Sequence, residues 1–503
     1  MTDRSGNGRR DGMLGARSLA VALAAAAAGV AGSYAVAAFT PSFVAGPIAG
    51  LLARRMPDVV LRYAITVIGD LGEQVNVVTA ITIAVALFGA AALVGLAVAR
   101  RREQASLAPP TTGVLVGVVA FGTTAAPLAS VVAGLAAGLV VAVGNLASRS
   151  GGGGVSGDRR RVLGGVGSAI IAVGGGYVLG SRGSFGGDTG AAEPFEVSDT
   201  LRAEIDDLLA RAGERTLDVD DLDPLVSETF YEVDINATNP TLAADQWELS
   251  VTGAVDEAVT YDYADVRTLE AENRFQSLRC VGESLNGRKM DNALWTGVPI
   301  MNLVDQAGPG EECCVMLRAA DGFYEEFPLS ALEDGFLAFG MNGETLPRGH
   351  GYPARALIPG HWGEINVKWL TEIEVLAREV DGYWEERGWQ GTGPVNTVAK
   401  LHHQTRLPDG RIQVGGHAYA GTRGIRAVEV STDGGDTWTD ATLSEPLPGD
   451  DVWRQWVYEY DLPGREHEVV VRAVEADGTV QPEAVSNAFP SGPTGWVSRT
   501  ISP

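Results

Sequence analysis

Long apolar runs through the first 180 residues restrict that part of the chain to one kind of structure, a bundle of membrane-length helices. In hydrocarbon every backbone polar group must be satisfied within its own segment, so such runs are helical. Residues 14–39 and 75–99 are each long enough to cross an apolar layer of roughly 30 Å. The run 111–147 is too long for one crossing and carries Pro127 in its middle, which predicts a helical hairpin. Residues 162–180, short and glycine-rich, predict a fifth span. The segment 41–74 carries Arg54, Arg55, Asp58, Arg62, Asp70 and Glu73 and is expected at the membrane interface.

Arginines orient these spans. Arg9, Arg10 and Arg17 precede the first, Arg100, Arg101 and Arg102 follow the second, and Arg149, Arg159, Arg160 and Arg161 precede the last. Five crossings place all three clusters on the cytoplasmic side and leave the C-terminal half outside the cell membrane. Arg54, Arg55 and Arg62 run against that topology. The run from Gly8 to Leu14 also resembles a twin-arginine export signal, although two arginines before a first span need no more than the orientation rule. All six histidines follow residue 349, so these spans lack the His pairs that hold membrane haem. Carboxylates are scarce in them too, which argues against an ion pathway. An anchor, or a docking surface for a redox partner, is what remains.

Charge divides the chain at the same place. Through Gly180 there are 14 Arg, no Lys and 7 acidic residues, a net of +7; the remainder holds 24 basic and 56 acidic residues, a net of −32. A surface this acidic argues against nucleic acid as a partner. Only Lys289, Lys368 and Lys400 are lysines, and this acidic, lysine-poor balance resembles proteins of salt-loving archaea, whose mutual repulsion is screened in brine. Three cysteines cannot make a disulfide framework. Cys313 and Cys314 are neighbours whose pairing would strain the backbone, and 313–317 is expected as a buried strand. Cys280 is then the thiol to be explained.

In the polar half, 181–195 is expected to be a flexible linker and 199–212 an amphipathic helix. Strand patterns at 247–253 and 313–317 and helical ones at 263–270 and 300–307 predict a mixed α+β region from about Pro224. Beyond Gly393, alternation at 411–414, 425–430, 457–460 and 468–474 predicts an all-β sandwich of Ig-like type. The expected fold is therefore multi-domain: a transmembrane helical anchor at 1–180, a linker and helix at 181–225, a mixed α+β domain at 226–392 and a β-sandwich at 393–503.

Three ordered motifs resemble one family. Residues 275–299 read FQSLRCVGESLNGRKMDNALWTGVP and are similar to the cysteine segment of sulfite-oxidase-type molybdopterin enzymes. Residues 346–370, LPRGHGYPARALIPGHWGEINVKWL, are similar to that family's H-G-x-P-x-R stretch and the V-K-W that follows. Residues 428–438, VEVSTDGGDTW, resemble a hairpin of its dimerisation domain. The resemblance implies a molybdenum-molybdopterin cofactor, with Cys280 as metal ligand and catalytic residue. Cofactor contacts are implied at Tyr231, Glu232, His350, Arg355, Asn366, Val367 and Lys368. Chemistry agrees: a soft thiolate suits a metal that passes two electrons, and arginine forks suit phosphate. It also implies a separate electron carrier and a homodimer.

Two positions depart from the family. Phe323 stands at the spacing of a metal-side tyrosine, with Tyr324 one residue late as the alternative, and strand alternation would aim the two oppositely. The stretch from Phe230 to Ile235 offers no arginine for sulfite. A small oxyanion thus competes with a neutral sulfoxide as substrate. The pair His402 and His403 lacks a third ligand and reads as structural, and Gly151–Gly154 follows no strand and is no phosphate loop. From a different class, the alternative is a non-catalytic surface protein that binds partners through its Ig-like domain.

Overall fold

The computed structural model describes residues 16–68, 70–149, 157–181, 195–310 and 312–502. They form two compact units, one built from 1–56, 71–190 and 235–241, the other from 57–70, 191–234 and 242–503. The twin-arginine stretch and Gly151–Gly154 lie outside the described residues, as does all but the two ends of the linker 181–195.

Among the described residues, five helices are long and apolar enough to cross a membrane. The expected hairpin is there as Ala108–Thr124 and Pro127–Arg149, turned at Ala125 with φ 53° and restarted by Pro127, whose missing N–H costs nothing at a helix start. Small residues bring these two helices together. A methyl on Gly113 would stand 2.9 Å from the Gly134 carbonyl, so only glycine permits this approach. The segment expected at the interface, 41–74, is divided: Ala45–Arg55 belongs to the helical unit, whereas 57–70 belongs with the second unit.

After 57–70, the second unit continues with the helix Asp199–Arg215, capped by the Ser198 side chain, which accepts from the Leu201 N–H. A five-stranded sheet follows in the order Val259–Asp262, Glu248–Gly253, Leu370–Leu376, Cys314–Ala319, Tyr324–Pro328. Glu248–Gly253 and Leu370–Leu376 pair in parallel, with Ser250 opposite Glu372. Everything between them is one long excursion. A second sheet runs Glu272–Arg279, Met290–Pro299, Phe336–Met341 and Glu344–Thr345, with Arg355–Leu357 paired to Phe336–Met341. Leu249, Val298, Phe327, Leu337 and Ile373 fill a shared core.

The last hundred residues form two further antiparallel sheets. One is built on Ile412–Tyr419 and Arg454–Tyr460, the other on Ile425–Ser431 and His467–Glu475. Val414, Trp456, Val428 and Val471 meet in their common core. The turn at Gly434 and Gly435 has φ 81° and 104°, the left-handed region glycine tolerates.

The two neighbouring cysteines correct an expectation. Cys313 and Cys314 are joined as a disulfide. The strand begins only at Cys314, so Cys313 lies in a bend that strand alternation does not govern, and both sulfurs can turn to the same side.

Candidate active site

Cys280 is the free cysteine of the chain, and the backbone around it is fixed by buried charge. It follows directly on the strand Glu272–Arg279, whose last residue lies opposite Met290. Its N–H donates to the Lys289 carbonyl at 2.9 Å, closing the intervening loop. Inside that loop Glu283 accepts from Arg279 Nε at 2.7 Å and from the Lys289 N–H at 3.0 Å. Lys400 Nζ, from the start of the C-terminal sheets, reaches both Glu283 oxygens at 2.7 Å and the Gly287 carbonyl at 2.8 Å. A methyl on Gly287 would stand 2.9 Å from Glu283 Oε2, so the loop closes only with glycine there. Burial pushes the Cys280 thiol up to about 11, against the opposing charge of Lys289. Left to itself it is a protonated thiol at neutral pH.

A second group of polar side chains gathers around Arg355. Arg355 opens the strand Arg355–Leu357 and donates to the carbonyls of His350 at 3.2 Å and Asn366 at 2.9 Å. Its Nε is buried without a protein partner, and its guanidinium lies 5.2 Å from the Trp295 ring. Burial lowers it to about 10, which still leaves it charged at neutral pH. Asn366 braces the approach loop: its Oδ1 accepts from the Ile358 N–H at 2.7 Å and its Nδ2 donates to the Trp362 carbonyl at 2.9 Å. Val367, buried beside it, accepts from the Ala356 N–H at 2.8 Å. His350 is pushed down to about 3, first by burial and then by Arg355 and Lys368, so it is neutral. Its Nε2 is 3.8 Å from Glu232. Lys368 pairs with the buried Asp234 and donates to the Gly349 carbonyl at 2.9 Å.

Tyr231 joins the two groups. Its backbone N–H donates to Asp291 at 2.8 Å, and its hydroxyl would touch a methyl on Gly363 at 2.7 Å, the same methyl lying 3.2 Å from the Arg279 carbonyl. Both Cys280 and Arg355 act electrostatically on that hydroxyl. Thus Cys280, Tyr231, Glu232, His350, Arg355, Asn366, Val367 and Lys368 are drawn into one site from strands and turns far apart in sequence.

The family of molybdopterin-binding oxidoreductase domains matches residues 236–384, and the molybdenum-cofactor oxidoreductase dimerisation domain matches 393–490. Sulfite oxidase of Arabidopsis thaliana is 25% identical over 308 residues, 48% of this chain and 78% of that protein. The mitochondrial sulfite oxidase of Rattus norvegicus is 26% identical over 301 residues, 49% of this chain and 55% of that one. An uncharacterised oxidoreductase of Bacillus subtilis, YuiH, is 30% identical over 151 residues, 29% of this chain and 74% of that protein. The chain belongs to the sulfite oxidase family of molybdenum-cofactor oxidoreductases.

Molybdenum-molybdopterin is the cofactor of this family member, and the groups present fit it. A lone soft thiol, an unpartnered buried Arg355 Nε and an unpartnered buried Arg279 Nη2 are what an anionic pterin carrying a thiophilic metal requires.

Tyr324 has neighbours of its own. Its ring lies 5.8 Å from Tyr383 and 5.9 Å from the Arg318 guanidinium, and its hydroxyl meets Glu386 and Arg387. Phe323 also packs on Tyr383, at 5.6 Å. His402 Nε2 lies 3.3 Å and 3.2 Å from the carbonyls of Asn286 and Gly287, and His403 Nε2 lies 3.1 Å from Gln413, so both rings brace the fold. Sequence reasoning missed Glu283, Asp234 and Lys400. The scarcity of lysine was the available signal, since an oligolysine-poor chain that keeps Lys400 has a use for it.

Proposed function

We propose that this chain is a membrane-anchored enzyme that moves one oxygen atom per two electrons at a molybdenum held by the Cys280 thiolate. The observation that carries the proposal is the position of that thiol: the chain's free cysteine, on a loop clamped by Glu283, Arg279 and Lys400, sharing the neighbour Tyr231 with an arginine that has an unfilled N–H. When bound, the cofactor supplies a metal that takes up two electrons and exchanges one oxygen.

The chain's own residues bind and orient. Arg355, through its free Nε, and Lys368 meet the anionic cofactor, Arg as a planar fork and Lys as a point charge. Neutral His350, Tyr231 and Glu232 would help hold it, while Asn366 and Val367 hold the turn that presents Arg355. In the oxidising direction, substrate and water give the oxygenated product, two protons and two electrons, and the electrons pass to a separate carrier. Sulfite oxidation and sulfoxide reduction are the two directions of that balance, and the absence of an arginine between Phe230 and Ile235 favours an uncharged sulfoxide over an oxyanion.

Further elements of the proposal concern setting. The apolar helices anchor the chain, the catalytic part stands outside the cell, and the C-terminal sheets form an Ig-like sandwich through which two copies associate. The lysine-poor acidic surface suits a protein of salt-loving archaea.

Elemental analysis of the purified full chain tests the central claim. One molybdenum per chain, lost in Cys280→Ser, is expected; a folded, metal-free protein would return the chain to the class of surface binding proteins. Dye-coupled assays with sulfite and with dimethyl sulfoxide then separate the two directions.

A further inference from the structure

The stretch 57–68 lies, by sequence, between the helix Ala45–Arg55 and the membrane-length helix Asp70–Arg101, yet it packs with the catalytic unit. Two contacts hold it there. The Arg62 guanidinium sits 4.5 Å from the centre of the Phe489 ring, and Phe489 packs edge-on against Trp389 at 5.2 Å. Ile65, half-buried, joins the apolar cluster of Val281, Trp389 and Trp362.

The position of Ile65 is specific. A methyl placed on Gly282 would lie 3.0 Å from Ile65 Cγ2, 3.7 Å from Trp389 Cη2 and 3.9 Å from Cys280 Sγ. Ile65, Trp389 and the cysteine sulfur therefore border one spot too tight for a methyl unless Ile65 gives, with Gly282 as its floor. The charged groups acting on Cys280 come from elsewhere, Lys289 and Glu283 on its own loop and Glu364 beyond it, so the Ile65 side is apolar.

We propose that 57–68 is a wall of the substrate pocket and that Ile65 is a specificity-determining residue, limiting the bulk of what reaches the Cys280 sulfur. The inference rests on the placement of the active site at Cys280 made above. It assigns a catalytic-unit function to a segment that the sequence places among membrane helices.

Two measurements test it, and they fail separately from the assignment of the metal. In full-length chain produced without molybdenum, Cys280 is alkylated with iodoacetamide and with the bulkier fluorescein-5-maleimide. Ile65→Ala should raise the bulky-to-small rate ratio about tenfold, the scale of a pocket altered by a few methylenes, and Ile65→Trp should lower it as far. Arg62→Ala, which frees the segment without entering the pocket, should also raise the ratio and decides the matter if a variant at Ile65 fails to fold. A ratio that changes by less than threefold in the folded variants, or in the opposite direction, overturns the proposal. In the molybdenum-loaded enzyme, kcat/KM for methyl phenyl sulfoxide relative to dimethyl sulfoxide should rise in Ile65→Ala. A wild-type chain that holds no molybdenum counts against the proposed function, while the alkylation ratio still decides the wall.

Discussion

Lys400 Nζ lies 2.7 Å from each carboxylate oxygen of Glu283, and both side chains are shut away from solvent. Arg279 shares the same carboxylate, so two cations and one anion are buried together behind the cysteine loop. Such a group is costly to desolvate and is held only because each member is bonded. It locks the loop's position from a residue of the C-terminal sheets, 117 positions away.

Lys400→Met should lower unfolding free energy by about 1–3 kcal/mol, because Glu283 and the Gly287 carbonyl lose a buried charged donor while Arg279 still neutralises the carboxylate. Denaturant unfolding in high salt measures it. A change under about 1 kcal/mol would mean that the loop is held by other contacts.

Arg355→Lys should not rescue cofactor retention. Lysine keeps the charge and loses the planar fork whose Nε is unfilled. Released pterin fluorescence and bound molybdenum should both fall at least about tenfold in Arg355→Lys, the scale of one charged hydrogen bond; full occupancy would show that charge alone suffices.

Tyr324→Phe should change kcat/KM less than about threefold, since removing a hydroxyl bonded to charged neighbours at a partly exposed position costs little. Its hydroxyl meets Glu386 and Arg387 and its ring meets Arg318. Steady-state kinetics with whichever substrate turns over would place Tyr324 at the metal if the loss were a hundredfold.

Glu364 supplies a pH dependence. Burial first, and then Glu385, raises its carboxyl to about 8, and neither of its oxygens has a side-chain bonding partner. Between its ordinary value of 4.5 and about 8 the folded state holds a proton that the unfolded chain has released. The folded state binds more protons there, so this group's contribution to stability is full below the ordinary value and falls as pH rises towards 8. Unfolding free energies at pH 6 and pH 8.5 should differ less in Glu364→Gln than in the parent; equal slopes in both would exclude Glu364 as the source.

The long apolar helices, the β-rich end and the cysteine and arginine segments are readable because each is a local pattern. Apolar length set the spans, Pro127 the hairpin and alternation the strands of the last hundred residues. The surroundings of Cys280 were less so. Glu283 looks like one more acidic residue until Lys400 is beside it, and no periodicity links them. The bend at Cys313 escaped because alternation was extended one residue too far. Spacing alone points to Tyr324, whereas its neighbours are decided by an edge hairpin with Cys314–Ala319 and by Tyr383. The split of 41–74 depends on packing that charge pattern does not encode.

The parallel pairing of Glu248–Gly253 with Leu370–Leu376 has a kinetic side. Cys280, His350, Arg355, Asn366 and Lys368 all lie on the excursion that this pair clasps. Joining strands so far apart costs loop entropy before any contact repays it, so the clasp is a slow and late event in folding. Until it forms, the two faces of the pocket belong to an open chain. A prosthetic group held by residues of that excursion therefore meets its full set of partners only once the clasp has formed.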